Sequence, residues 1–132
     1  MIGLDTNVLL RYFVKDDLRQ WEKATHFVAT RCTSDNPGFI DRIALCEMVW
    51  VLNRGYGYGR ADVARVIGHL LASQELLLED EELVRSALQG YEKSGIDFPD
   101  LLMAKVNLAH GCEATATFDR KAARTEGFLS IA

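Results

Sequence analysis

The sequence lacks the features that define several protein classes. It has only 2 prolines in 132 residues, and no apolar run approaches the ~20 residues that span a bilayer. It contains no internal repeat, low-complexity tract or linker, and no basic segment precedes an apolar stretch at its N-terminus. We therefore expect one globular domain over residues 1–132, cytoplasmic, without a signal peptide or a membrane partner.

Cysteine and histidine are also scarce, with 3 residues of each. Cys32, Cys46 and Cys112 form no CxxC pair and show no zinc-ligand spacing with the histidines. The sequence therefore predicts small buried thiols in a reducing compartment, and neither disulfides nor a zinc site.

The chain has no excess of positive charge, because 15 basic and 19 acidic side chains give a net charge of −4. This balance argues against a protein that coats nucleic acid by bulk attraction. If four carboxylates were gathered in one site, however, the remaining surface would be neutral. The function therefore depends on where the acidic side chains lie.

Short apolar segments alternate with amphipathic segments along the chain. We predict strands at residues 2–4, 39–40, 76–78 and 114–118, with 128–131 as a candidate fifth strand. Helices are predicted at residues 8–13 and 16–32, at 42–53 after a capping Asp41, and at 60–73. A further helix follows a capping Asp80, and the last is predicted at 99–110. The alternation is typical of an α/β fold, with helices on both faces of a parallel sheet of four or five strands.

Several acidic residues occupy positions that suggest a site. Asp5 and Asp119 directly follow predicted strands, where ligands of such folds gather, although an acid at a strand end is often only a helix cap. Glu47 is the only polar side chain in residues 43–52, so we expect a largely buried helix and a carboxylate that needs compensation. A tertiary salt bridge or an exposed helix edge is the alternative for Glu47.

Two further acids, Asp97 and Asp100, flank Phe98 and Pro99. Proline suits the first helical turn, so Asp100 lies where the helix dipole stabilises a carboxylate, and Asp97 is a candidate cap. If acids from separate segments converge, they repel one another unless a hard cation such as Mg²⁺ or Mn²⁺ lies between them.

Four segments together carry a recognisable set of motifs: LDTNVLLRY at 4–12, ALCEMVWVL at 44–52, GIDFPDLL at 95–102 and TFDRK at 117–121. On these motifs the chain resembles PIN-domain ribonucleases, and more narrowly the toxins of VapBC-type bacterial toxin–antitoxin pairs. The resemblance covers essentially the whole chain, although Pro99 stands where the family more often has alanine. It implies a parallel sheet of strand order 3-2-1-4-5, which makes strands one and four neighbours.

The resemblance also implies roles for individual residues. The catalytic and metal-binding quartet would be Asp5, Glu47, Asp100 and Asp119, supported by Thr6, Asp97 and Thr117. The implied activity is Mg²⁺- or Mn²⁺-dependent hydrolysis of RNA phosphodiester bonds, with tRNA or rRNA as the target whose cleavage blocks translation. The implied partners are a small antitoxin, whose tail lies near the acidic site, and a second copy of the chain in a homodimer.

Two groups of basic residues are candidates for RNA contacts. The segment from Arg54 to Arg60 follows a helix and spaces its glycines as GxGxG, so it is not a dinucleotide-binding loop. Its arginines and tyrosines suit RNA, although a plain helix connector is the alternative. Arg120 and Lys121 are candidates for phosphate contacts, with a solvated basic face as the alternative.

Two other functions remain open from the sequence. One is a non-catalytic RNA- or partner-binding module on the same fold. The other is an aspartyl-phosphate phosphatase or receiver domain, which also has acids at strand ends. A haloacid-dehalogenase-type phosphatase would need an aspartate where Asn7 stands, which disfavours it.

Overall fold

The computed structural model describes all residues from Met1 to Ala132, and it confirms the α/β class. The strands are β1 (Ile2–Gly3), β2 (Gly38–Ile40), β3 (Leu76–Leu78), β4 (Thr115–Thr117) and β5 (Phe128–Ser130). The helices are α1 (Thr6–Phe13), α2 (Leu18–Arg31), α3 (Arg42–Gly55), α4 (Arg60–Ala72), α5 (Glu81–Lys93) and α6 (Phe98–Ala109), with a 3₁₀ turn at Ala122–Arg124. The chain forms two compact units, Met1–Glu81 and Glu82–Ala132.

The first unit is built on a parallel sheet of order β1-β2-β3. Ile2 pairs with Gly38, and Gly38 pairs in turn with Leu76, so the three strands start level with one another. Because parallel strands need long crossover connections, two helices lie in sequence between each pair of neighbours. The unit's most completely buried side chains are Leu9, Ile40, Leu45, Met48, Val49, Leu52, Val63, Ile67 and Leu70.

Three helices of this unit begin in the same way. Asp5, Asp17 and Asp41 each adopt an extended backbone, and each side chain accepts a hydrogen bond from the backbone N–H three residues later. The distances are 3.0 Å, 3.1 Å and 2.8 Å. Such a cap contributes about 1 kcal/mol to helix stability. The predicted caps at Asp5 and Asp41 are therefore confirmed.

An ion-pair cluster joins the end of β3 to the start of α3. Glu79 accepts from the backbone N of Arg42 at 2.9 Å, and from its Nε and Nη2 at 3.0 Å and 2.7 Å. Arg42 Nη2 also donates to Asp80 at 2.8 Å. Asp80 has a φ of 51°, outside the extended conformation of a cap, so its predicted capping role is wrong. The cluster fixes the first turn of the helix that carries Glu47.

The second unit contains α5, α6 and the parallel pair β4-β5, in which Thr115 is opposite Phe128. Tyr91 and Phe98 meet edge to face, with ring centroids 6.0 Å apart. The two sheets, β1-β2-β3 and β4-β5, contain the two ends of the predicted order 3-2-1-4-5. The candidate fifth strand is confirmed, and the adjacency of strands one and four stays a prediction.

The cysteines differ from the prediction of buried thiols. Cys32 is buried, and its burial raises the pKa of the thiol. Cys46 is only half-buried and Cys112 is exposed, because Cys112 lies in the turn after α6 and not on a packed face. None of the three forms a disulfide bond. No helix has both the length and the apolar character needed to cross a bilayer.

We expect Glu79→Gln to lower the free energy of unfolding by about 1–2 kcal/mol at neutral pH. One carboxylate oxygen of Glu79 accepts from the backbone N–H of Arg42 and the other accepts from its guanidinium, whereas an amide has only one accepting oxygen. Arg42 holds the pKa of Glu79 below its ordinary value. The stabilisation is therefore fully present above the unfolded-state pKa, and it disappears as the pH falls through the folded-state pKa. Urea unfolding at neutral and acidic pH measures both effects.

The control for this prediction is Glu82→Gln, which makes the same chemical change in an exposed pair 3.9 Å from Arg85. Exposed pairs contribute about 0.5 kcal/mol or less. Equal losses for the two variants at neutral pH would contradict the clamping role of Glu79.

Candidate active site

Asp5 lies two residues after β1, where it caps α1. Its Oδ1 accepts from the N–H of Val8, whereas Oδ2 takes part in no hydrogen bond, and the residue is exposed. The capping interpretation is therefore correct but leaves one carboxylate oxygen available to a ligand. Thr6, the first residue of α1, is half-buried beside it, and its supporting role stays a prediction.

Glu47 is exposed, so the prediction of a helix buried on nearly all sides is wrong. One face of α3 packs Leu45, Met48 and Leu52 into the core. On the opposite face, Ile43 is 68% exposed and Trp50 is 46% exposed. Ile43 lies four residues before Glu47, and Trp50 lies three residues after it. Residues at these spacings share one side of a helix. The charge of Glu47 is therefore solvated and needs no buried ion-pair partner, in agreement with the alternative that Glu47 lies on an exposed edge of the helix.

Asp97 is the N-cap of α6 by its backbone conformation, but its side chain makes no capping hydrogen bond. Because the carboxylate makes no such bond, it does not stabilise the start of the helix, and it is exposed to solvent. Asp100 lies in the first turn of the same helix and is half-buried. The purely structural interpretation of Asp97 thus loses its main support.

The pKa of Asp100 is raised above its ordinary value. Partial burial is the largest cause, followed by the negative charges of Asp97 and Asp119. A carboxylate in the first turn of a helix is normally stabilised by the helix dipole. The negative charges of Asp97 and Asp119 therefore act on the Asp100 carboxylate in addition to its partial burial.

Asp119 is held by its own backbone surroundings. Its N–H donates to Thr117 Oγ1 at 3.0 Å, and its Oδ1 accepts from the N–H groups of Lys121 and Ala122 at 2.8 Å and 3.2 Å. This arrangement shows how Thr117 fixes the segment that carries the acid. The ammonium of Lys121 lies over Gly95, where a Cβ atom would collide with it.

The chemistry of these carboxylates fits a hard divalent cation. None of Asp5, Glu47, Asp97, Asp100 and Asp119 forms an ion pair with a basic side chain. Carboxylate oxygens suit Mg²⁺ and Mn²⁺, whereas zinc prefers nitrogen and sulfur ligands. No three histidine, cysteine or acidic side chains form a ready-made metal cluster, however. Each of these carboxylates nevertheless offers the oxygen ligands that such an ion prefers.

The connector between α3 and α4 is held by hydrogen bonds to two acidic side chains. Tyr56 donates its hydroxyl to Asp16 at 2.8 Å, and the N–H of Gly59 donates to Asp62 at 3.1 Å. These bonds favour the interpretation of the segment as a helix connector. Arg54 is exposed at the end of α3, as are Arg120 and Lys121 after β4. Their RNA contacts, and that of Arg60, stay predictions.

Comparison with known proteins identifies the family. The PIN domain family matches residues 2–127. The chain belongs to the PIN domain family. A relative, the VapC ribonuclease of Aquifex aeolicus (strain VF5), is 25% identical over 118 residues, which cover 89% of this chain and 87% of the relative. The PIN domain assignment confirms the resemblance found in the motifs and argues against the receiver-domain alternative.

The sequence reasoning missed a cleft that contains Asp5. The cleft has a volume of about 410 Å³ and is also lined by Val8, Arg11, Gln20, Lys23 and Phe27. Lys23 and Phe27 lie four residues apart on α2, so they face the same side of the helix. This spacing was the available signal, but nothing in the sequence indicates that this face lies against the end of β1.

We expect Asp97→Asn to lower the pKa of Asp100, since it removes one of the two negative charges that raise that pKa. The pKa should remain above the ordinary value because partial burial, the largest cause, is unchanged. Titration of the side-chain carboxyl ¹³C signals in metal-free protein measures the shift. Glu113→Gln removes an exposed acid of the same unit as a control, and an equal shift there would disprove the local repulsion.

Proposed function

We propose that the protein is a Mg²⁺- or Mn²⁺-dependent endoribonuclease, with Asp5, Glu47, Asp100 and Asp119 as its catalytic and metal-binding residues. The observation that supports this most is the raised pKa of Asp100 beside Asp97 and Asp119, without any cationic partner. The match to one family across residues 2–127 further supports the proposal that both compact units belong to one domain.

The surroundings of each carboxylate suit it to a different role in catalysis. Backbone N–H groups hold one oxygen of Asp5 and one of Asp119, so each side chain is oriented before a ligand arrives. Asp100 has a raised pKa and is therefore the better proton acceptor, which suits it to orienting the attacking water. A bound divalent cation would neutralise phosphate charge and activate water. Asp97 and the hydroxyl-bearing Thr6 and Thr117 would support this arrangement.

We further propose that the substrate is RNA of the translation machinery, tRNA or rRNA, and that the protein is the toxin of a toxin–antitoxin pair. The relative named VapC ribonuclease supports this assignment. A small antitoxin, a homodimeric state and a cytoplasmic location belong to the same proposal. Exposed Arg54, Arg120 and Lys121, together with Arg60 at the start of α4, would contact RNA phosphates.

Asp5→Asn should abolish RNA cleavage and leave the melting temperature nearly unchanged. The variant removes one ligand charge, whereas asparagine caps a helix about as well as aspartate. Asp17→Asn is the matched control, because Asp17 caps α2 with the same hydrogen bond to the third following residue. Cleavage of total cellular RNA by purified protein is the readout. Full activity in Asp5→Asn, or equal loss in Asp17→Asn, would refute the assignment of Asp5.

Metal removal provides an independent test. EDTA should stop cleavage, and added Mg²⁺ or Mn²⁺ should restore it, since the acidic residues alone cannot offset phosphate charge. The Asp119→Asn variant should remain inactive when the metal is restored. Cleavage that survives EDTA would overturn the metal requirement. RNA binding without turnover under either cation would instead favour a non-catalytic RNA-binding module.

A further inference from the structure

The first unit contains several clefts large enough for a small ligand, and they differ in the charged side chains that line them. One, about 380 Å³, has no basic side chain in its lining. Another, about 680 Å³, is lined by Tyr12, Phe13, Tyr58 and His69. Its arginine, Arg65, is paired with Asp62, so the cleft offers an anion no free cation. The cleft beside Asp5 has a volume of about 410 Å³, within the ~300–1,000 Å³ range of small-ligand sites.

The cleft beside Asp5 contains two cations in different states. Arg11 is already paired: its Nη1 donates to Asp16 at 2.8 Å and to Tyr56 at 3.4 Å, and its Nε donates to Gln20 at 2.6 Å. Lys23 is exposed and forms no ion pair. Lys23 is therefore the cation of this cleft that is available to an anionic ligand.

An aromatic ring and apolar groups complete the lining. Phe27 lies one helical turn after Lys23, and Arg31 lies 5.7 Å from the centroid of its ring. Val8 contributes further apolar surface to the same cleft. A phenyl ring beside a free ammonium matches a nucleotide of single-stranded RNA, whose base stacks on aromatic groups and whose phosphate pairs with cations.

We propose that this cleft is a substrate subsite, which holds the nucleotide next to the phosphate that is cut. Lys23 contacts the backbone phosphate of that nucleotide, and Phe27 supports its base. Asp5 lines the same cleft, so a nucleotide bound there lies next to a residue of the proposed active site. The inference rests on the proposed ribonuclease function and adds a strand-binding site that the acidic quartet does not provide.

The test measures binding separately from cleavage. A labelled single-stranded RNA oligonucleotide is titrated at several KCl concentrations, with all variants in an Asp119→Asn background that suppresses turnover. We expect Lys23→Ala to reduce the slope of log K against log [KCl] by about 0.7, which corresponds to about fivefold weaker binding near 0.1 M salt. Phe27→Leu keeps an apolar side chain and should weaken binding about fivefold or more, with the slope unchanged.

Lys15→Ala is the matched control, because it removes the same charge from a lysine whose ammonium lies 4.3 Å from the centroid of the Trp21 ring, outside the cleft. Equal effects of Lys15→Ala and Lys23→Ala would indicate bulk attraction and overturn the proposal. Wild-type affinity and slope in Lys23→Ala would assign the cleft to another ligand, such as a protein tail. Lys23 is exposed, so this variant decides the question even if Phe27→Leu loses stability.

The two levels of inference fail in different ways. Suppose that the protein with its native Asp119 cleaves RNA, but that substitution of Lys23 and Phe27 leaves RNA affinity unchanged. The proposed subsite is then wrong, and the proposed ribonuclease function stands. If binding depends on Lys23 and Phe27 but no cleavage occurs with any divalent cation, the subsite stands and the ribonuclease assignment is wrong.

Discussion

Repulsion between carboxylates is the constraint on which the interpretation of this molecule depends. Asp97, Asp100 and Asp119 come from a loop, a helix and a strand end of one compact unit, yet the charges of two of them raise the pKa of the third. A basic side chain or a bound cation can neutralise neighbouring carboxylates, and none of these three acids has a basic partner. A half-buried carboxylate beside two like charges is typical of functional sites, which favours a functional role for Asp100 over a structural one.

The proposed metal ligands Asp5 and Asp119 also stabilise the local backbone. Asp5 and Asp119 each use one oxygen to satisfy backbone N–H groups at the start of a helical turn. These hydrogen bonds restrict the rotation of the carboxylate, and thereby reduce the entropy lost when a ligand binds. The capping and catalytic interpretations of such acids are therefore complementary.

The sequence predicted the features that depend on neighbouring residues. The strands, the caps at Asp5 and Asp41 and the helix that begins near Pro99 all follow from local propensity. Features that depend on distant segments were not predictable in this way. The apolar residues around Glu47 gave no indication that one face of α3 is exposed to solvent. The ion pair between Asp80 and Arg42 joins residues that are 38 positions apart in the sequence. The cleft at Lys23 was likewise not predictable, because it forms only where α2 packs beside the end of β1.

The two tryptophans differ in their surroundings, which gives the protein an intrinsic optical probe. The ring of Trp21 is covered by an ammonium, whereas Trp50 is half-exposed on the face of α3 that carries Glu47. The emission maximum of an indole moves to shorter wavelength when water is excluded. With phenylalanine at position 21, the remaining fluorophore would report whatever molecule covers this acidic residue, without any attached dye.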